Sequence, residues 1–177
     1  GQRLTANRTI ESFYKWSGGG RIPIFCDTTS CTHTLLFETG GDILTPENRE
    51  KYKQLKIMDI TQWLKEVVLP RIKVIRPKNR ILLHPTCSCQ IMGLTPVLLD
   101  IARKCAREVI LPDNWGCCGA SGDRGFIFPE LSDSATRDER DEIGHESFDG
   151  CYSLARTCEI AMQDHIEQPY ESIVYLV

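Results

Sequence analysis

Apolar residues along this chain come in short runs, separated by longer stretches that are charged or helically patterned. The runs at Arg21 to Cys26 (RIPIFC), Leu55 to Ile60, Arg80 to His84, Glu108 to Leu111 and Glu171 to Val177 are each the length of a strand and predict one. Thr95 to Arg107 instead sets Val97, Leu98, Ile101, Ala102 and Cys105 on one face at helical spacing. TQWLKEVVLPR, from Thr61, predicts a helix directly after the second run. Asp133 to Gly144 is so polar that it predicts a solvent-facing helix. Strands alternating with helices give an α/β fold of parallel-sheet strand–helix units.

A weak internal repeat runs through this pattern. ANRTIESFYKWSGGG (6–20) and ATRDERDEIGHESFDG (135–150) both begin Ala-x-Arg and end in a glycine stop. Each leads into a cysteine-bearing segment, FCDTTSCTHTL (25–35) and CYSLARTCEIAM (151–162), and then into an apolar run. Aligned on the second cysteine of each segment, Cys31 falls on Cys158 and Thr28 on Ala155. Only the second copy has a front part, residues 80–132. The chain thus divides into residues 1–76, the C-terminal part of a first repeat, and residues 77–177, a second repeat shortened at its C-terminus. It reads as a fragment, with apolar surface expected to be uncovered where it starts.

Composition narrows the classes of function. A net charge of −3 gives no basic footprint for nucleic acid. No apolar stretch is long enough for a transmembrane segment, and GQRLTANRTIES has no signal-peptide core. A cytoplasmic location is expected, including a peripheral position at the inner face of the membrane. The nine cysteines change the picture most. Their odd number and the missing signal peptide argue against a secreted disulfide scaffold and point to metal or redox chemistry.

Cys87 follows a predicted strand within HPTC, and Cys117 and Cys118 follow another within WGCCG. Cys158 lies after the Asp149-Gly150 break. Ligands of open parallel sheets gather beyond the carboxyl ends of the strands, so these four thiols are expected to converge. Gly116 and Gly119 would let the backbone approach a bulky group or take positive φ. A helix starting after Gly119 would stabilise thiolates at its N-terminus. There is no C-x2-C pair for a zinc ribbon and no ferredoxin-type run. Neighbouring thiolates suit a multi-iron cluster, whose irons they can share out. Cys105 belongs to an apolar helix face and reads as core. Cys89 and Cys151 stay open between spare ligands and thiols at the rim. His84 and His33 read as hydrogen-bonded structural residues more readily than as ligands, and His145 and His165 carry no assignment. Arg124 is open between an anionic substrate and a carboxylate of the same chain.

HPTC, WGCCGASGDRGFIFPELSDSATR, ARTCEIAM and SIVYLV resemble the C-terminal cysteine-rich domain of flavin- and iron–sulfur-dependent D-lactate dehydrogenases. That domain is similar to a wider family named for its Cys-Cys-Gly (CCG) motif. The family includes iron–sulfur subunits of glycolate oxidase and lactate-utilisation systems, and the cluster-bearing CCG subunit of heterodisulfide reductase. The resemblance covers essentially the whole chain, and on it residues 1–76 and 77–177 are two CCG repeats. The family pattern is one cysteine, then Cys-Cys-Gly, then C-x2-C. It assigns Cys87, Cys117, Cys118 and Cys158 as ligands of a metal or cluster. The first cysteine of the C-x2-C is replaced by Ala155. The full set of five holds noncubane clusters in heterodisulfide reductase; four thiols suit a simpler 4Fe–4S cluster or a four-cysteine zinc. In the first repeat Thr28 stands at the matching place, and its site is expected to be incomplete, leaving Cys26 and Cys31 free.

The resemblance implies an oxidoreductase that takes a hydride from a 2-hydroxy acid with FAD in an upstream domain. Electrons then pass through ferredoxin-like and cysteine-cluster domains to a quinone or another acceptor. GGG at 18–20 precedes a strand and is no dinucleotide fingerprint, so this chain is not expected to oxidise lactate alone. Two rivals are a structural zinc module on the same four thiols and a thiol–disulfide reductase using Cys117–Cys118. Ring strain in a vicinal disulfide weighs against the second.

Overall fold

The computed structural model describes residues 1–177 and is of the α/β class. Its residues gather into two units, Gly1–Ile60 and Thr61–Val177.

The first unit runs α1 (Gln2–Trp16), β1 (Ile24–Cys26), α2 (Thr29–His33), α3 (Pro46–Gln54) and β2 (Ile57–Asp59). β1 and β2 pair in parallel, with Cys26 opposite Asp59. Thr45 caps α3 by accepting a bond from the Asn48 amide, and Pro46 supplies the φ a first helical residue needs. The buried Asn48 side chain donates to Asn7 Oδ1 at 2.8 Å and to Glu11 Oε1 at 3.1 Å, clipping α3 onto α1. Gly20 has φ +81°, and a Cβ there would lie 2.0 Å from the Gln54 carbonyl oxygen, so no other residue fits. Trp16, Ile22 and Phe37 of this unit are exposed.

A short helix, α4 (Ile60–Trp63), spans the division and runs into a wide π-type turn, Leu64–Val68. The second unit continues with β3 (Lys78–Leu83), α5 (Cys87–Ile91), α6 (Thr95–Cys105), β4 (Ala106–Ile110), α7 (Arg124–Ile127) and α8 (Pro129–Ile143). It ends with β5 (Gly150–Ser153), α9 (Arg156–Ile166) and β6 (Tyr170–Ser172). Residues 61–76 begin this unit, and Lys65 Nζ reaches Asp100 Oδ2 on α6 at 2.6 Å.

The four strands of the second unit form one parallel sheet in the order β4-β3-β5-β6. Ile81, Leu82 and Leu83 of β3 are all fully buried, as expected of a central strand covered on both faces. α6 buries Leu98, Ile101, Ala102 and Cys105, the face its periodicity predicts. From β3 the chain crosses outward to β4. It then returns past β3 to place β5 on the other side and moves outward again to β6. The direction of winding therefore reverses between β3 and β5. Open α/β sheets form their ligand crevice at such a switch point, beyond the carboxyl ends of the two strands.

Several elements differ from the sequence expectation, among them the helix expected from Thr61, which is α-helical only to Trp63. β5 is a strand of its own, although its four residues are too few to show a period. The last apolar run is strand only over Tyr170–Ser172; Ser172 then caps a 3-10 turn, Ile173–Leu176. α8 is not wholly solvent-facing, because Ser132, Thr136, Glu139 and Ile143 form a buried stripe. Three of these four residues are polar, so the stripe does not read as a core face.

The internal repeat has a local structural counterpart. α2 and α9 each start three residues beyond a strand end, after an extended residue: Thr28 (φ −127°) and Ala155 (φ −153°). Cys31 and Cys158 are then each the third residue of the helix.

Candidate functional site

The carboxyl ends of β3 and β5 are tied together at the switch point. The His84 amide donates to the Tyr152 carbonyl at 3.0 Å, and Ser153 Oγ donates to the His84 carbonyl at 2.8 Å. From this paired edge the two strands send out the segments that carry Cys87 and Cys158. After β3, Thr86 caps α5 by accepting from the Cys89 amide at 3.2 Å, which makes Cys87 the first helical residue. After β5, Ala155 is the extended N-cap of α9 and Cys158 lies in its first turn, where backbone amides have no helical partner.

Cys117 and Cys118 arrive on the loop between β4 and α7. Gly119 fixes that loop: its φ is +73°, and a Cβ would lie 2.5 Å from the Leu131 carbonyl oxygen and 2.7 Å from Ser132 Cα. The loop thus lies directly on the backbone of α8. Gly116 has open space where a Cβ would be, so the glycine requirement falls on one flank of the pair only.

These segments bring the four predicted thiols into a string. Cys118 Sγ lies 2.9 Å from Cys158 Sγ, across 40 residues of sequence. Cys117 neighbours Cys118 on one side and Cys87 on the other, each near enough to shift its pKa. Cys87 and Cys117 are exposed, while Cys118 and Cys158 are buried. Backbone amides point at the sulfurs as well. Gly119 N–H donates to Cys117 Sγ at 3.4 Å, and the nearby amides of Ala120 and Ser88 pull down the pKa of Cys118 and Cys87. Contrary to the expectation of a helix opening just after Gly119, α7 begins only at Arg124. Single amides of the loop do what a helix N-terminus was expected to do.

The thiols hold one another in the protonated form. In Cys117 the bond to Cys118 and then burial push the pKa far up, against the pull of the Gly119 amide. In Cys118 the bond to Cys117 lowers it, but the bond to Cys158, burial and the charge of Cys158 outweigh this and raise it to about 12. Burial and then the neighbouring Cys117 raise Cys87. A proton in each S–H···S contact does here what a cation does among thiolates: it offsets like charges held close together. As the side chains stand, no three His, Cys, Asp or Glu groups are gathered as a metal-binding set. The donors nonetheless fit a thiophilic centre in type and number: four sulfurs, adjoining one another, with amide donors to three of them.

Of the remaining cysteines, Cys151 shares the buried cluster of Cys118 and Cys158. Cys105 is core. Cys89 is fully buried on α5, with Thr95 Oγ1 at 3.9 Å from its sulfur. Cys151 is buried within β5, and burial alone raises its thiol to about 12. In the first unit Cys26 is half-buried and its pKa is raised by burial, against a bond from Thr32, with Cys31 and Asp59 adding to the rise. Cys31 is exposed. Ala155 is buried in the same cluster as Cys118 and Cys158.

One buried pair was not foreseen. His84 Nδ1 lies 2.9 Å from Glu139 Oε2 and 3.2 Å from Oε1, with both side chains almost fully buried. His84 therefore has the structural partner its position suggested, but Glu139 was hidden within a helix that reads as solvent-facing. The pair ties the HPTC segment to α8, the helix on which Gly119 rests. α8 thus packs against all three thiol-bearing segments and supplies no thiol itself. His33 pairs with Glu38 at 3.3 Å, and His165 Nδ1 lies 3.9 Å from Asp133 Oδ1. Arg124 is exposed. No helix is long and apolar enough to cross a membrane.

No family model matches the chain, and no curated protein matches it.

Proposed function

We propose that Cys87, Cys117, Cys118 and Cys158 hold an iron–sulfur centre, and that the domain carries electrons within a flavin-dependent 2-hydroxy acid dehydrogenase of the D-lactate or glycolate type. The observation that carries the reading is the contact of Cys118 with Cys158, continued through Cys117 to Cys87, at the switch point of a parallel sheet. Four thiols from three separate segments have no need to meet there for packing alone. When bound, the cluster would supply one-electron chemistry. The chain's part is to hold the sulfurs, aim the Gly119, Ala120 and Ser88 amides at them, and bury Cys118 and Cys158 away from water. Exposure of Cys87 and Cys117 leaves one side of the site within reach of a redox partner. The FAD domain, the hydroxy acid and the quinone-type acceptor rest on the resemblance of the CCG motif.

The second reading is a structural zinc on the same four thiols, favoured by Ala155 in place of a fifth sulfur. Purification without oxygen, metal and sulfide analysis and a visible spectrum separate the two. Iron with equivalent sulfide and broad visible absorption supports electron transfer. One zinc per chain and no colour refutes it.

A further inference from the structure

The four thiols differ in exposure and in neighbours, and their order in space limits how they pair. Four cysteines allow three pairings. One of the three joins neighbours throughout: Cys87 with Cys117, and Cys118 with Cys158, whose sulfurs lie 2.9 Å apart. A Cys117–Cys118 bond would leave Cys87 and Cys158 at opposite ends of the string and would close a strained ring of adjacent residues. The crossed pairing, Cys87 with Cys118 and Cys117 with Cys158, breaks every existing contact. Exposure sets the sequence of events. Cys87 and Cys117 are exposed, whereas Cys118 and Cys158 are 4% and 8% accessible.

We infer that the metal-free site is an oxidative modification site that hydrogen peroxide closes into two disulfides, Cys87–Cys117 first and Cys118–Cys158 second, and that this closure excludes the metal until a thiol reductant reopens it. The inference rests on the four-thiol site proposed above. In each step one thiol first gives up the proton that the string holds, and its thiolate sulfur attacks one oxygen of hydrogen peroxide; the S–O bond forms, the O–O bond breaks and the departing hydroxide takes up a proton to leave as water. The neighbouring sulfur then attacks the sulfenic sulfur; the S–S bond forms, the S–O bond breaks and a second water leaves. Two thiols give up two electrons and two protons, and one peroxide becomes two waters. The inner pair repeats the step with a second peroxide, slowly, because little of it meets solvent. Both bonds are reversible by exchange with a small thiol.

The test treats the reduced, metal-free chain with hydrogen peroxide over time and blocks remaining thiols with N-ethylmaleimide. Bridged peptides are then mapped without reduction, with fragment ions separating Cys117 from Cys118. The expected result is a Cys87–Cys117 link, followed by Cys118–Cys158, with loss of metal uptake that dithiothreitol restores. A Cys117–Cys118 bridge, a crossed link, or sulfinic acid without any link overturns the inference. In Cys158→Ser, Cys118 should stay open to alkylation after Cys87–Cys117 has closed; protection of Cys118 from alkylation overturns the pairing. A chain that takes up no metal yet yields these links refutes the metal reading alone. One that binds metal but yields other links refutes this inference alone.

Discussion

Cys118 Sγ and Cys158 Sγ lie 2.9 Å apart, one on a glycine-fixed loop after β4 and the other in the first turn of α9. This contact closes the string of thiols on its buried side. Replacing Cys118 by serine should abolish metal retention. In the metal-free protein it should cost only about 0.5–1.5 kcal/mol, the net worth of one hydrogen bond. Metal analysis together with urea unfolding checks both parts. A collapsed fold would make the residue a core element first.

The pH dependence follows from the direction of the thiol shifts. Cys118 rises to about 12 in the folded protein, and Cys87 and Cys117 also rise above their ordinary value. A group whose pKa is raised by folding adds stability below its unfolded pKa, and that stability is lost as pH climbs toward the folded value. The metal-free protein should therefore hold a constant urea midpoint up to about pH 8 and lose stability above about pH 9, where free thiols ionise. A midpoint that rises over this range would contradict the protonated string. Because metal binding requires thiolates, affinity for a thiophilic ion should increase with pH across the same interval, as a competition titration can measure.

Glu139 and His84 face one another where water does not reach. Replacing Glu139 by alanine leaves a buried imidazole unpaired and should cost about 3–5 kcal/mol if the pair is charged. Glu139→Gln keeps a hydrogen-bond acceptor and should cost less. The two thermal midpoints should fall in that order. Equal midpoints would show that charge contributes nothing there.

Gly119→Ala should be worse than its size suggests. The residue would need φ +73° with its Cβ 2.5 Å from the Leu131 carbonyl oxygen, and that oxygen belongs to helix backbone that cannot rotate away. The cost should exceed about 1 kcal/mol, and metal retention should fall with it because the Cys117–Cys118 loop lifts off α8. Gly116→Ala, facing open space, serves as the control.

Ala155→Cys offers the fifth sulfur of the CCG pattern that the sequence resembles, at a buried N-cap in the cluster of Cys118 and Cys158. The added atom should cost about 1–3 kcal/mol in the metal-free chain, as overpacking does. If four thiols limit the site, the variant should retain more iron per chain than the natural sequence. Unchanged iron content would remove Ala155 from the account.

Much of this arrangement was legible in sequence because it rests on local chemistry. The apolar runs marked strands, the period of Thr95 to Cys105 marked a core helix, and cysteines just beyond strand ends marked a meeting place. What escaped depends on partners far away in the chain. β5 is too short to show a period. α8 looks solvent-facing because its buried stripe carries Ser132, Thr136 and Glu139 in place of leucines, and only His84, 55 residues away, explains the glutamate. The missing helix after Gly119 had the same cause: the loop is held from outside, by α8, and not by its own propensity.

The central claim is that Cys87, Cys117, Cys118 and Cys158 act as one site. Alkylation of the native reduced protein, with and without bound metal and mapped residue by residue, tests it most directly. The account predicts that metal protects these four thiols together, while the exposed Cys31 is labelled equally in both states. Equal labelling of Cys87 and Cys117 with and without metal would contradict it.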